Sequence, residues 1–197
     1  MLEDGYHDVP PGHVAAVVTH LEMRARPEER PVPALDGIEL TREERPARDW
    51  YLGLFQKIGK DWLWFGRLAM DTADLDALLQ DPKVEIYALR KDGVALGLLE
   101  LDFRQEGECE LAYFGLAPEL VGSGAGRWLM ARAIDRAFQT PITRFHVHTC
   151  TNDSSAALPF YIRSGFVPTR QQVEIAPDPR LTGFYPENAA PHIPVFR

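Results

Sequence analysis

Apolar and polar positions change rhythm several times along the chain. His13 to Leu21 (HVAAVVTHL) is β-branched and apolar and predicts a strand, with a shorter one at Gly37 to Thr41. Pro10-Pro11, Pro27, Pro31, Pro33 and Pro46 break this region into short pieces. From Arg48 to Ile58, Trp50, Leu54, Phe55 and Ile58 recur at helical spacing. Asp71-Thr72 offers an N-cap to a second helix carrying Leu75, Leu78 and Leu79, which stops before Pro82. Val84 to Leu89 and Val94 to Phe103 read as strands joined by Asp92-Gly93, a two-residue hairpin signal. Gly107 marks the next turn, and Glu108 to Leu116 completes an antiparallel meander.

The second half alternates differently. Gly122-Ser123-Gly124-Ala125-Gly126 leads into a helix from Trp128 to Phe138. There Met130, Ile134 and Phe138 repeat every four residues, with Arg132, Asp135 and Arg136 turned outward. Thr143 to Thr149 is a strand. Asp153 or Ser154 is placed to cap a further helix that runs through Tyr161 to Arg163. Pro159 suits only a first turn, so that helix starts late, and Gly165 terminates it. Phe166 to Ile175 returns as a strand, and the tail from Ala176 is proline-rich and irregular. The expected fold is a mixed α/β (α+β) domain, residues 1–197, with a mostly antiparallel central sheet and one parallel crossover.

Composition narrows the class. A chain of 197 residues matches one domain on a prior of ~100–200 residues. It is 45% apolar and 25% charged, as soluble globular proteins are. The net charge of -8 argues against a broad basic face for nucleic acid and modestly favours a cationic partner such as an amine. Cys109 and Cys150 form no CxxC pair and read as free thiols in a reducing compartment. No stretch approaches the ~18 apolar residues of a membrane span. Met1-Leu2-Glu3-Asp4-Gly5 lacks the basic and apolar regions of a signal peptide, so a cytoplasmic location is expected.

A glycine-rich turn between a strand and a helix can hold phosphate, because backbone N–H groups approach the anion unobstructed beside a positive helix end. The spacing fits neither a P-loop, since Arg127 follows Gly122 five positions on with no Lys and no hydroxyl after it, nor GxGxxG. Leu116-Ala117-Pro118-Glu119 precedes the cluster and Leu129-Met130 follows it. Together these resemble the acyl-CoA-binding motif of the GNAT superfamily of N-acetyltransferases, with Gly124 and Gly126 in its two glycine positions and Val121 where the family usually has Arg or Gln. Ala157 to Phe166 (ALPFYIRSGF) resembles the family's closing motif, with Ser154 where Asn is usual. The resemblance covers about residues 84–170.

It implies helices on both faces of the sheet, a splayed strand pair at the CoA site, and an acceptor site in residues 1–83. Acetyl-CoA is the implied co-substrate. Pantetheine would pair with backbone near Phe114 and Leu116, and the pyrophosphate would sit on the amides of Val121, Gly122, Ser123, Gly124, Ala125, Gly126 and Arg127, with Ser154 nearby. Leu116 and Ala117 would aim N–H groups at the thioester carbonyl. Tyr161, four residues before Gly165, stands where the family carries its acid for the leaving thiolate. Glu110, six residues before Leu116, has the offset of the catalytic glutamate in the histone-acetylating branch of the family and is the implied base.

The residues around these add detail. Alternation places Glu108, Glu110, Ala112 and Phe114 on one face. Glu100 opposite Glu110 would raise one carboxyl's pKa; a register shifted by one would put Leu101 there instead, and the sequence leaves this open. His146, His148 and Cys150 share a face; with too few neighbouring ligands for zinc, no metal is expected, and His148 is read as lining the acceptor site. Five aromatics, Tyr51, Phe55, Trp62, Trp64 and Phe65, fall within residues 51–70. At least half should pack as core, and Trp62 and Trp64 are the pocket candidates. The expected function is acetyl transfer from acetyl-CoA to a primary amine of a small molecule by direct attack. Protein or peptide N-acetylation and a non-catalytic acyl-CoA sensor are the alternatives. The expected partners are acetyl-CoA and an amine, with no nucleic acid and no membrane; a homodimer is left open.

Overall fold

A computed structural model describes residues 3–28, 31–32 and 34–197. Pro33 and the first two residues, Met1 and Leu2, lie outside the described residues. Among the described residues the elements, two 3-10 turns aside, are β1 (His13–Met23), β2 (Ile38–Glu43), α1 (Arg48–Gly59), α2 (Thr72–Gln80), β3 (Val84–Lys91), β4 (Val94–Asp102), β5 (Glu108–Leu116), α3 (Ala125–Phe138), β6 (Arg144–Cys150), α4 (Ala157–Ser164) and β7 (Val167–Pro177). The strands form one sheet in the order β2-β3-β4-β5-β6-β1-β7. Among the described residues β5 and β6 are parallel, and the other pairings are antiparallel. The expected architecture is therefore the observed one. Its less expected feature is β1, which inserts between β6 and β7.

Local chemistry accounts for the elements. Tyr51, Leu54, Phe55 and Ile58 are buried on one face of α1. Gly59 ends the helix where a Cβ would stand 2.5 Å from Cβ of Trp64, so only glycine lets the chain double back. Asp71 caps α2, its carboxylate accepting from the Ala73 N–H at 2.8 Å. Asp92 and Gly93 both have positive φ, 51° and 80°, as a type I′ hairpin requires. Gly165, φ 108°, closes α4, and Phe166 N–H reaches back to the Tyr161 carbonyl. Pro159 sits in the first turn of α4, which does start late.

Tyr51 and Phe55 place α1 against the face of β4 and β5 that carries Glu100 and Tyr113. The opposite face receives α3 and α4, through Arg136 on Glu85 and Phe160 on Phe114. Arg136 was expected to point outward; instead it forks onto Glu85 at 2.5 and 2.7 Å, because that carboxylate is 4% exposed and needs a counter-charge. Arg132 and Asp135 do face outward.

The tail has no regular element, as expected, but it is firmly organised. Arg180 and Asp178 form an ion pair at 2.7 Å with side chains 1% exposed. The guanidinium also donates to the carbonyls of Ala189, Ala190, Ile193 and Pro194. Around it Val14, Leu63, Tyr185, Ala189, Ala190 and Ile193 make a second small core. Removing one partner of such a buried pair costs about 3–5 kcal/mol. Arg180→Met is expected to lower the thermal midpoint by roughly 6–12 °C, read by differential scanning calorimetry; a shift under 2 °C would show that the tail contributes little to the fold.

Candidate active-site cleft

β5 and β6 pair only at Glu108↔Arg144, Cys109↔Phe145 and Glu110↔His146. Beyond Glu110 they part, and a cleft of about 510 Å³ opens between them. On its other side β5 stays bonded to β4, but with a bulge: Leu101 faces Leu111 and Glu100 faces Tyr113, leaving Ala112 as the extra residue. The bulge overturns the simple alternation. Tyr113, not Phe114, shares the face of Glu110, while Phe114 turns to the α4 side against Phe160 and Tyr161. The register also differs from both options considered. Asp102 lies opposite Glu110. Glu100 is fully buried, accepting from Tyr51 Oη and Arg67 Nη2, each at 2.5 Å.

The edge of β5 facing the cleft carries backbone groups. Ala117 N–H donates to the Leu96 carbonyl at 2.7 Å, so it is not free for a ligand, contrary to expectation. Successive N–H groups of a strand point to opposite sides, so those of Leu116 and Phe114 point into the cleft. Below them the loop Gly122–Gly124 carries positive φ at both ends, 81° and 92°. Among the described residues the amides of Gly122, Gly124, Gly126 and Arg127 have no hydrogen-bond acceptor. They lie at the N-terminus of the 14-residue α3, where the helix dipole favours an anion. A Cβ on Gly126 would meet only ordinary contacts at 3.7 Å and beyond. The Ser123 hydroxyl instead serves the loop, donating to Leu120 O and accepting from Ala125 N–H. Val121 is 68% exposed at the rim, and Arg127 is exposed on the helix.

Tyr161 is buried on the cleft floor, packed on Phe114 and Phe166. Burial pushes its hydroxyl well above an ordinary phenol, so it stays protonated. His148 lines the cleft, and Glu110 stands behind it with Oε1 3.7 Å from Nδ1. The contact with Glu110 raises the His148 pKa, and that same contact holds the Glu110 carboxyl below its usual range. His146 pairs separately with Glu108 at 3.5 Å. Among the described residues no three His, Cys, Asp or Glu are grouped to hold a metal ion. Burial pushes the Cys150 thiol up to about 11, which leaves it protonated at neutral pH.

Trp62 and Trp64 both reach the cleft; Tyr51 and Phe55 are fully buried core. Trp64 packs at a tilt against Phe55 and Tyr113 and donates its indole N–H to Asp153 at 3.4 Å. Asp153 does not cap α4. Its other oxygen accepts from Thr149 Oγ1 and Cys150 N–H, because the chain must turn immediately after β6. Ser154 lines the cleft with Oγ accepting from Ala156 N–H. Four participants were not anticipated: Asp153, Tyr113, Arg67 and Glu174. The bulge concealed Tyr113, whose ring lies under the Arg67 guanidinium at 4.9 Å. Glu174 reaches the cleft only because β1 carries β7 alongside.

The model of the acetyltransferase (GNAT) family matches residues 43–166, well over half of the chain. The chain belongs to the GNAT acetyltransferase family. No curated protein matches it. Among solved structures, a functionally unknown conserved protein from Staphylococcus epidermidis aligns with TM-score 0.54 and 14% identity over 85% of this chain. The chain spans 63% of that protein's length. An IAA acetyltransferase from Bacillus cereus gives TM-score 0.51 and 20% identity over 68% of this chain and 79% of its own. A GNAT acetyltransferase from Elizabethkingia anophelis with acetyl-CoA bound gives 0.53 and 18% over 69% and 80%. At these identities the structures share the GNAT fold. Among the described residues no helix is long and apolar enough to cross a membrane.

Asp153→Ala frees three donors at the cleft mouth. It should cost about 1–3 kcal/mol and change tryptophan emission, and Trp64→Phe in the same background should remove the spectral change. An emission spectrum unaltered by Asp153→Ala would show that Asp153 does not hold Trp64.

Proposed function

We propose that this GNAT protein transfers an acetyl group from acetyl-CoA to a primary amine of a small molecule, by direct attack within one cleft. The observation that carries this reading is the convergence of three things on one opening: the unpaired amides of the glycine loop, the inward N–H of Leu116, and the side chains of Tyr161 and His148. The residues present suit acetyl-CoA. Amides of Gly122, Gly124, Gly126 and Arg127 would hold its pyrophosphate, and the cleft edge of Phe114 and Leu116 would pair with the pantetheine amides. Bound there, acetyl-CoA supplies an activated thioester.

The chain's own groups then divide the proton work. Leu116 N–H stabilises charge as it develops on the carbonyl oxygen. His148, at the cleft wall, accepts the ammonium proton, and Glu110 behind it steadies the imidazolium. Tyr161, kept protonated by its burial, donates its proton to the departing thiolate. Trp62, Trp64 and the carboxylate of Asp153 favour a cationic acceptor over a neutral or anionic one.

Acetyl-CoA mixed with an amine panel, followed by free-thiol release, tests the reading. Tight acetyl-CoA binding with no thiol release on any amine would replace it with a non-catalytic sensor. Tyr161→Phe should lower kcat about 10²-fold or more with little change in the KM for acetyl-CoA; an unchanged kcat removes Tyr161 from the chemistry. Glu110→Gln should move the acidic limb of the kcat/KM profile to lower pH. Neutral His148 is the active form, and without the neighbouring carboxylate its proton leaves more readily. A limb that stays in place, or moves up, would assign the proton transfer elsewhere.

A further inference from the structure

The sheet ends differently on its two sides. β2 is a short edge of six residues, Ile38–Glu43. β7 is an edge of eleven residues, and all but Ala176 are exposed. One side of its backbone bonds to β1, and the other has no partner strand among the described residues. Its face on the α4 side carries Val173 and Ile175, 50% and 46% exposed, next to Val17 at 40%. Natural edges of this length are normally blunted or covered. Here prolines at 168 and 177 bracket the strand and confine any added ladder to the stretch between them.

The charges on β7 are arranged as an unsatisfied pair. Arg170 and Glu174 lie on the same face, and neither has an ion-pair partner among the described residues; Arg170 touches only the His20 ring, at 3.4 Å. They are four residues apart on a strand, about 13 Å, which is too far to pair with each other. A two-fold axis perpendicular to the sheet at Gln172 removes the mismatch. It sets two copies of β7 antiparallel, with each Arg170 directly opposite the Glu174 of the other. Gln171 then faces Val173, and the two Val173 side chains meet diagonally on the α4 side, within the regular stretch of β7 that follows the bulge at Thr169. Centring the axis on Val173 would instead put Arg170 opposite Ala176 and leave both charges unpaired.

We infer that β7 is the docking edge for a second copy of this chain, joining two sheets into one continuous antiparallel sheet through the Gln172-centred register. Because Glu174 also lines the cleft, the second copy brings its Arg170 to the rim of each active site. This inference is independent of the acetyl-transfer chemistry, since it concerns mass in solution.

Sedimentation equilibrium of the full chain across the micromolar range tests it. The expected species is twice 22.2 kDa. Glu174→Arg sets like charges opposite each other twice and should weaken the dimer about tenfold or more. The swap Arg170→Glu/Glu174→Arg restores opposite charges in the same register and should recover the wild-type dissociation constant. Far-UV circular dichroism confirms that each variant is folded. A wild-type chain that stays at single mass overturns the inference, including the case in which the edge takes an extended peptide instead. So does a dimer indifferent to Glu174→Arg, or a folded swap variant that remains as weak as the single substitution.

Discussion

Everything at the cleft depends on where the parallel ladder between β5 and β6 stops. A strand in mid-sheet normally satisfies its backbone groups on both sides, and leaving them unpaired in the interior is costly. Here pairing ends at Glu110 and His146, while β5 continues for six more residues attached to β4 alone. The result is a row of oriented N–H and C=O groups in an apolar wall. The bulge at Ala112 decides which ring goes where: its extra residue shifts the alternation by one, so Tyr113 turns to the α1 side and Phe114 to the α4 side. One ring then supports the acceptor side and the other supports the floor beneath Tyr161. Glu110 and His148 stand at the apex, where the strands are still close enough to keep the two side chains together.

The acidic character of the chain is divided between structure and chemistry. Glu85 and Glu100 are almost fully buried and matched by Arg136 and Arg67, so they belong to the framework. Glu100 bonds Tyr51 of α1 and Arg67 of the following loop, which fastens the segment carrying Trp62 and Trp64 to the central strand. The Asp178–Arg180 pair does the same for the tail, whose Tyr185 donates to the Trp64 carbonyl. Acceptor-side aromatics are thus clamped from two directions by buried charge. Asp153 and Glu174 remain to face the cleft.

The meander, both crossover helices and the glycine loop were legible because each rests on local rules: apolar spacing, a hairpin dipeptide, a proline tolerated only in a first turn. Tyr161 and the loop glycines were legible through the motif that surrounds them. What escaped depends on pairing across long separations. A bulge leaves no mark in the alternation of one strand, so Tyr113 and Phe114 exchanged faces. Arg136 fitted a polar stripe until Glu85 proved to be buried opposite it. Ala117 was placed correctly in the chain, but its N–H was already spent on β4. The tail offered no periodicity, since a single arginine holding four carbonyls leaves no repeating pattern.

The position of β1 bears on how the chain reaches this state. Thr19 pairs with Thr149, and His13 with Pro177, so its partners are about 130 and 160 residues away. During synthesis the strand HVAAVVTHL leaves the ribosome first and finds its neighbours last. Such high contact order slows folding, because the loop-closure entropy must be met before the ladder forms. The β2–β5 meander can assemble early, while an apolar, β-prone segment waits unpaired beside it. Closure of β1 between β6 and β7 therefore completes the sheet, and it is what sets Glu174 of β7 beside the cleft.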